Sequence, residues 1–180
     1  MAKVVESVYG KAMFSAAKEQ GKLETVRTQA EEILGVLAEN PDYMRILTHP
    51  NIEKEEKLSL IDECFSDKAD PVIVGTLVTL IDKDHADKIE KTFKTFIDLS
   101  LEEEKIGVAE VTSSFELSDE QKKAIEDKLL QTTKYDRMRM NYKVDRKLIG
   151  GLVIKLGDMM VDSSISTKLN TLRKSLERNI

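Results

Sequence analysis

The chain is 180 residues long, enough for one domain or two small ones. With 41% hydrophobic, 34% charged and 5% aromatic residues and no Trp, it excludes a disordered protein and favours helices with aliphatic interiors. The formal charge of −5 hides an asymmetry: residues 134–180 carry 11 Lys/Arg against 5 Asp/Glu, and residues 1–133 carry 17 against 28, a split that suggests two parts with different surfaces.

Residues 4–20 read as a first helix whose apolar and small residues cover more than half of its circumference. Such a helix is either the centre of a bundle or is covered from two sides. Gly21 is placed to end it. Leu23, Val26, Ala30, Ile33, Leu34 and Leu37 trace a second helical stripe, and Pro41 opens a short third helix ending near Leu47. Asn51 is the expected cap of a fourth helix, with Glu53, Glu55 and Glu56 at its positive end and Leu58, Ile61 and Phe65 inward. Asp70-Pro71 opens a fifth helix that is apolar nearly all round, so it is central or partly covered by another chain. A sixth helix is expected over 86–105, with Ile89, Phe93, Phe96 and Ile97 inward and Glu102, Glu103 and Glu104 solvated.

At Gly107 the period changes from helical to alternating. Ala109, Val111 and Ser113 alternate with Val108, Glu110 and Thr112 as in a strand. Ser118 and Gln121 have the spacing of a capping box, opening a helix expected to bury Ile125 and Leu129. A second strand alternates Met138, Met140, Tyr142 and Val144 with Arg137, Arg139, Asn141 and Lys143. After Gly150-Gly151 come two short apolar runs joined by Gly157-Asp158, the pattern of a type II′ hairpin. Asp162, Ser163 or Ser164 then caps a last helix whose Ile165, Leu169, Leu172 and Leu176 form a seam. The expected architecture is an all-α six-helix bundle over 1–105, followed by a small α+β domain over 106–180.

Catalytic patterns are missing from the sequence. His49 and His85 have no Cys or carboxylate at a ligand spacing, and HExxH, GxSxG, Walker-type and GxGxxG motifs do not occur. Gly150-Gly151 with Lys155 lacks the spacing of a phosphate loop, and Asp158 and Asp162 read as turn and cap residues. No enzyme activity, cofactor or metal is expected. Cys64 stands alone, which fits a reducing compartment. The N-terminal residues carry no signal-like apolar run, Glu6 argues against a transit peptide, and the run over 71–81 is shorter than the roughly 20 residues of a membrane span. Direct membrane insertion is therefore not expected. The interleaved Tyr135, Arg137, Arg139, Tyr142, Lys143, Arg146 and Lys147 raise nucleic-acid binding as an alternative. Alternation, however, places Tyr142 on the Met/Val face and leaves the cations as a solvated one.

The stretch from Gly150 onward resembles the delta subunit family of F-type ATP synthases, whose mitochondrial members are the oligomycin-sensitivity-conferring proteins. The family's C-terminal motif falls on Gly150, Gly151, Leu152, Ile154, Lys155, Gly157, Asp158, Val161, Asp162, Ser164, Leu169, Leu172 and Leu176. Tyr9-Gly10-Lys11-Ala12-Met13-Phe14 is similar to the family's opening Tyr-Ala-x-Ala-Leu-Phe. Ala109-Glu110-Val111-Thr112-Ser113 with Leu117-Ser118 resembles its domain-opening strand and cap, and Leu77, Leu80, Ile81 and Asp82 fit its fifth helix. The sequence departs from the family at Gly10, where Ala is usual and helix one should loosen slightly. It also departs at Asp84-His85 in place of a Gly-Arg pair, at Ser163 in place of Gly, and at Ser166 in place of a basic residue.

The resemblance implies a non-catalytic stator, present once per complex on the cytoplasmic side of the bacterial cell membrane. The helical domain would hold N-terminal helices of the alpha subunits on the catalytic head, and the smaller domain would join the end of the b-subunit stalk. The outer side of helices one and five, with Tyr9, Ala12, Met13, Leu77, Val78 and Ile81, is the expected head-binding surface. The basic C-terminal portion is expected to meet an acidic or amphipathic end of b. A general helical adaptor unrelated to the synthase is the alternative from another class.

Overall fold

The computed structural model describes residues 2–169, with side chains from residue 6 onward. The chain divides into two compact units, Met1–Leu101 and Glu102–Ile180.

The first unit is helical: α1 (Ala2–Glu19), α2 (Leu23–Glu39), α3 (Pro41–Thr48), α4 (Lys54–Phe65), α5 (Pro71–Asp82) and α6 (Ile89–Glu103). A 3-10 turn, Ala86–Lys88, precedes α6 and replaces the first turn expected of a sixth helix, so this unit holds one helical segment more than six. Its core joins residues from all six α-helices, among them Ala17, Val26, Leu47, Ile61, Ile73, Leu80, Phe93 and Phe96. Each of the larger of these side chains contributes about 1.5–3 kcal/mol by leaving water.

Local chemistry sets the helix ends. Gly21, at φ 66°, closes α1 with paired bonds from Gly21 N to Lys18 O and Lys22 N to Ala17 O, both at 3.0 Å. This is the left-handed stop that a residue without Cβ adopts most readily. Asp70 caps α5 by accepting from Val72 N at 3.0 Å. The cap position of α4 is Glu53, not Asn51, and it makes no side-chain cap bond. Asn51 is held in the preceding turn instead, its amide donating to His49 Nδ1 at 3.2 Å.

The second unit is a mixed four-stranded sheet with a helix: β1 (Ile106–Ser113), α7 (Asp119–Thr132), β2 (Arg137–Val144), β3 (Leu152–Leu156) and β4 (Met159–Asp162), in the order β2-β1-β3-β4. β1 and β2 are parallel, as their crossover through α7 requires, while β3 runs antiparallel to both β1 and β4. Both bonds of the capping box form, Gln121 N to Ser118 Oγ at 3.3 Å and Ser118 N to Gln121 Oε1 at 3.0 Å. Ile125 and Leu129, expected to be buried, are only half-buried.

Pairing in register sorts the sheet into two faces. Gly107, Ala109, Val111 and Ser113 are buried on one, with Met138, Met140, Tyr142, Ile154 and Leu156 beside them. α7 lies on that side, where Tyr142 Oη donates to Lys122 O at 3.2 Å. The opposite face carries Arg137, Arg139, Asn141 and Lys143 of β2 and Lys155 of β3, all exposed.

Candidate docking surfaces

On the first unit the expected surface is only partly external. Met13, Leu77 and Ile81 are 2%, 1% and 2% exposed and belong to the core. They cannot line an outer groove, which corrects the expectation for these three. Apolar and small residues over more than half of α1, and nearly all round α5, give too little phase to tell the seam where α1 meets α5 from their outward sides. Tyr9 is half-buried, its ring edge-on to His85 at 6.2 Å. Ala12 is exposed, and Val78 is 37% exposed. Val8, one turn before Ala12, is 56% exposed and was missed, although its spacing of four puts it on the same side of α1.

A cleft of about 640 Å³ lies elsewhere in this unit, between α2, α3 and the end of α4, with Val36, Leu37, Tyr43, Ile46 and Phe65 in its walls. Burial, and then the Cys64 thiol beside it, raise the Tyr43 hydroxyl well above the usual phenol range. Sequence periodicity gave no sign of this cleft, since it forms where three helix ends diverge.

In the second unit the motif residues build structure. Gly157 has φ 56° while Asp158 does not take positive φ, the II′ pattern, and the turn brings Leu156 opposite Met159. Gly151, at φ 79°, runs so close to the following chain that a Cβ would lie 2.5 Å from Ser163 O. Gly150 O accepts from Ile165 N at 3.0 Å. Of the three candidate caps, Ser164 accepts from Thr167 N at 3.2 Å, and Asp162 braces it by accepting from Ser164 N at 2.8 Å and Thr167 Oγ1 at 2.7 Å. The Thr167 bond, then those from Ser164, hold the Asp162 carboxyl below the usual range. Lys155 is exposed on the sheet, away from any phosphate-type loop. Ile165 and Leu169 are 45% and 54% exposed, so the start of the last helix does not bury its expected seam. Leu172 and Leu176 lie outside the described residues. Sequence reasoning also passed over Met159, Met160 and Val161, each more than half exposed on the edge strand β4.

Among the described residues no cluster of His, Cys, Asp or Glu could hold a metal, and no helix is long and apolar enough to cross a membrane. The described residues form a helical unit and a mixed-sheet unit, each with exposed apolar or basic surface. The chain belongs to the ATP synthase delta (OSCP) subunit family, whose model matches residues 5–176. It is 43% identical over 176 residues to ATP synthase subunit delta of Lachnoclostridium phytofermentans, covering 98% of this chain and 97% of the relative. To the subunit delta of Trichormus variabilis it is 33% identical over 175 residues, covering 97% and 95%. A chain in the mitochondrial ATP synthase hexamer of Toxoplasma gondii shares the fold, with a TM-score of 0.77 over 95% of this chain and 96% of that one at 20% identity. The protein is thus a structural, non-catalytic stator subunit of the peripheral stalk of F-type ATP synthase. Neither alternative, an unrelated helical adaptor or a nucleic-acid binder, is supported by these matches.

Proposed function

We propose that the helical unit holds N-terminal helices of the alpha subunits, and that the mixed-sheet unit joins the distal end of the b-subunit stalk. A stator resists the torque of the rotor only if it grips the head and the stalk through separate surfaces. The division into two compact units is the observation that carries this reading. The proposed domains are 1–105 and 106–180, one for each partner.

For the head, exposed Val8 and Ala12 on α1 and Val78 on α5 offer apolar contact to one face of an amphipathic helix. The proposal includes one copy per complex, on the cytoplasmic side of a bacterial membrane. Calorimetry of the full chain with a synthetic alpha N-terminal peptide tests the surface. Ala12→Asp and Val78→Asp should each weaken binding by about tenfold or more, because each would bury a charge against apolar residues. Unchanged affinity in both variants would reject this surface.

A further inference from the structure

We infer that the cleft between α2, α3 and the end of α4 is a binding site for a small lipophilic cation, an aromatic or alkylated ammonium or phosphonium. This goes beyond the stator role and does not depend on it. None of the residues proposed to grip the head lines the cleft. At about 640 Å³ it has the volume of a small-molecule site, and its floor is part of the core, since Ile33 and Leu37 of α2 are buried. Its lips are apolar too. Val36 on α2 and Ile46 on α3 are both exposed and keep aliphatic surface in water that an occupant would cover. One exposed aliphatic residue needs no explanation, but two edging the same cleft do.

Tyr43 and Phe65 supply an aromatic wall. Their rings meet edge-on at 84° with centroids 6.1 Å apart, an arrangement in which the partner covers neither face of the edge-on ring. Such faces attract a cation within about 6 Å. The rim sets the sign of the charge: Glu32, Glu39 and Asp42 line the cleft against one cation, Lys68. Asp42 is answered by Arg45 at 3.0 Å, whereas Glu32 and Glu39, seven residues apart on one side of α2, put two carboxylates on the same edge. The uncharged polar groups of the walls are already engaged. Asn40 Nδ2 donates to Val36 O at 2.8 Å, Gln29 Oε1 accepts from Asp70 N at 2.8 Å, and Tyr43 Oη donates to Leu60 O at 3.5 Å. A sugar or a base would find few partners there, and a phosphate would meet carboxylates. A cation with an apolar body meets both features of the cleft.

The test uses the full chain with tetraphenylphosphonium, and with tetraphenylborate as the anion of nearly the same shape. Calorimetry should show saturable binding of the phosphonium, with the borate weaker by about tenfold or more. Glu32→Gln with Glu39→Gln should weaken the phosphonium by about tenfold, and Tyr43→Leu by about fivefold. Val36→Arg, at an exposed lip and clear of the core, should abolish binding even if Tyr43→Leu perturbs folding. Glu55→Gln with Glu56→Gln, the same change of charge on exposed positions of α4 outside the cleft, should leave it unchanged. Cys64, the single cysteine of the chain and part of the cleft wall, locates the ligand: saturating phosphonium should slow its alkylation by about threefold or more. The inference is overturned if the phosphonium does not saturate, if the borate binds as tightly, if the two glutamate pairs act alike, or if Cys64 is not protected. Displacement of the phosphonium by the alpha N-terminal peptide overturns it in favour of a second contact with the head.

Discussion

Lys22 Nζ donates to Asp70 Oδ2 at 3.0 Å, so the residue that opens α2 touches the residue that opens α5 across 48 positions of sequence. Asp70 is tied on two further sides. Its Oδ1 accepts from Val72 N at 3.0 Å, and its own amide donates to Gln29 Oε1 at 2.8 Å. One side chain thus caps α5 and fixes where that helix begins against α2.

Asp70→Ala should cost about 1–2 kcal/mol, most of it the lost cap. The pair with Lys22 adds little, because the lysine side chain is 48% exposed. Burial works to raise the Asp70 carboxyl, but the Val72 amide and Lys22 outweigh it and hold the group below its ordinary value of 3.8. A depressed folded value means the charge contributes its full stability above 3.8 and loses it as pH falls through the lower folded value. Asp70→Asn keeps a competent cap and removes only the charge. Urea denaturation should therefore show a constant gap between wild type and Asp70→Asn at neutral and mildly acidic pH, closing below 3.8.

Asp84 ends α5 in the left-handed region at φ 57°, with Asp84 N bonded to Ile81 O at 3.0 Å and His85 N to Leu80 O at 2.8 Å. The backbone closure is the one Gly21 gives α1, made here by a residue with a Cβ and a negative charge at the negative end of a helix. Asp84→Gly should therefore stabilise the helical unit by about 0.5–1 kcal/mol, and Asp84→Lys should recover only the electrostatic share. Chemical denaturation followed by helical ellipticity separates the two. Equal stability of wild type and Asp84→Gly would mean that the aspartate's tolerance of this conformation already cancels the strain.

Gly10 is expected from its sequence to loosen α1, and the structure gives it a second role. It is buried against α6, where a Cβ would lie 2.9 Å from Thr95 Cβ and 3.1 Å from Thr92 O. Alanine gains about 1 kcal/mol of helix propensity. Forcing α1 from α6 costs about 1–3 kcal/mol, so the net effect of Gly10→Ala should be a loss of stability. Thr95→Ala should recover part of that loss in a double-mutant cycle, and a stabilised Gly10→Ala would show that the helices separate freely.

The sequence made legible whatever is written in spacing. The change of period at Gly107, the Ser118-Gln121 box and the Gly157-Asp158 turn are each local patterns with one stable geometry, and each forms. Phase was not legible where a helix is apolar over most of its circumference, and so Met13, Leu77 and Ile81 were assigned to a surface they do not reach. The cap chosen by residue type failed at α4, whose cap position is Glu53, two residues after Asn51. The basic strand face was visible in the alternation of β2, but its continuation to Lys155 comes from register with β1 and β3, which no single strand reveals.

Gly150 and Gly151 look equivalent in the sequence and are not equivalent in the fold. At Gly151 the obstacles to a Cβ are backbone, Ser163 O at 2.5 Å and Ser164 Cα at 3.0 Å, and φ is 79°. Neither can move without displacing Ser164, whose hydroxyl caps the last helix. At Gly150 the obstacle is Ile165 Cδ1 at 2.6 Å, the end of a side chain that is 45% exposed and has room to turn away. Gly151→Ala should therefore cost about 2–4 kcal/mol, and Gly150→Ala less than about 1 kcal/mol. Hydrogen exchange locates the damage: in Gly151→Ala the amides of Ser163 and Ile165, which bond to Leu152 O and Gly150 O, should lose protection first. Equal losses from the two substitutions would mean that the chain does not approach Gly151 as closely as its backbone neighbours require.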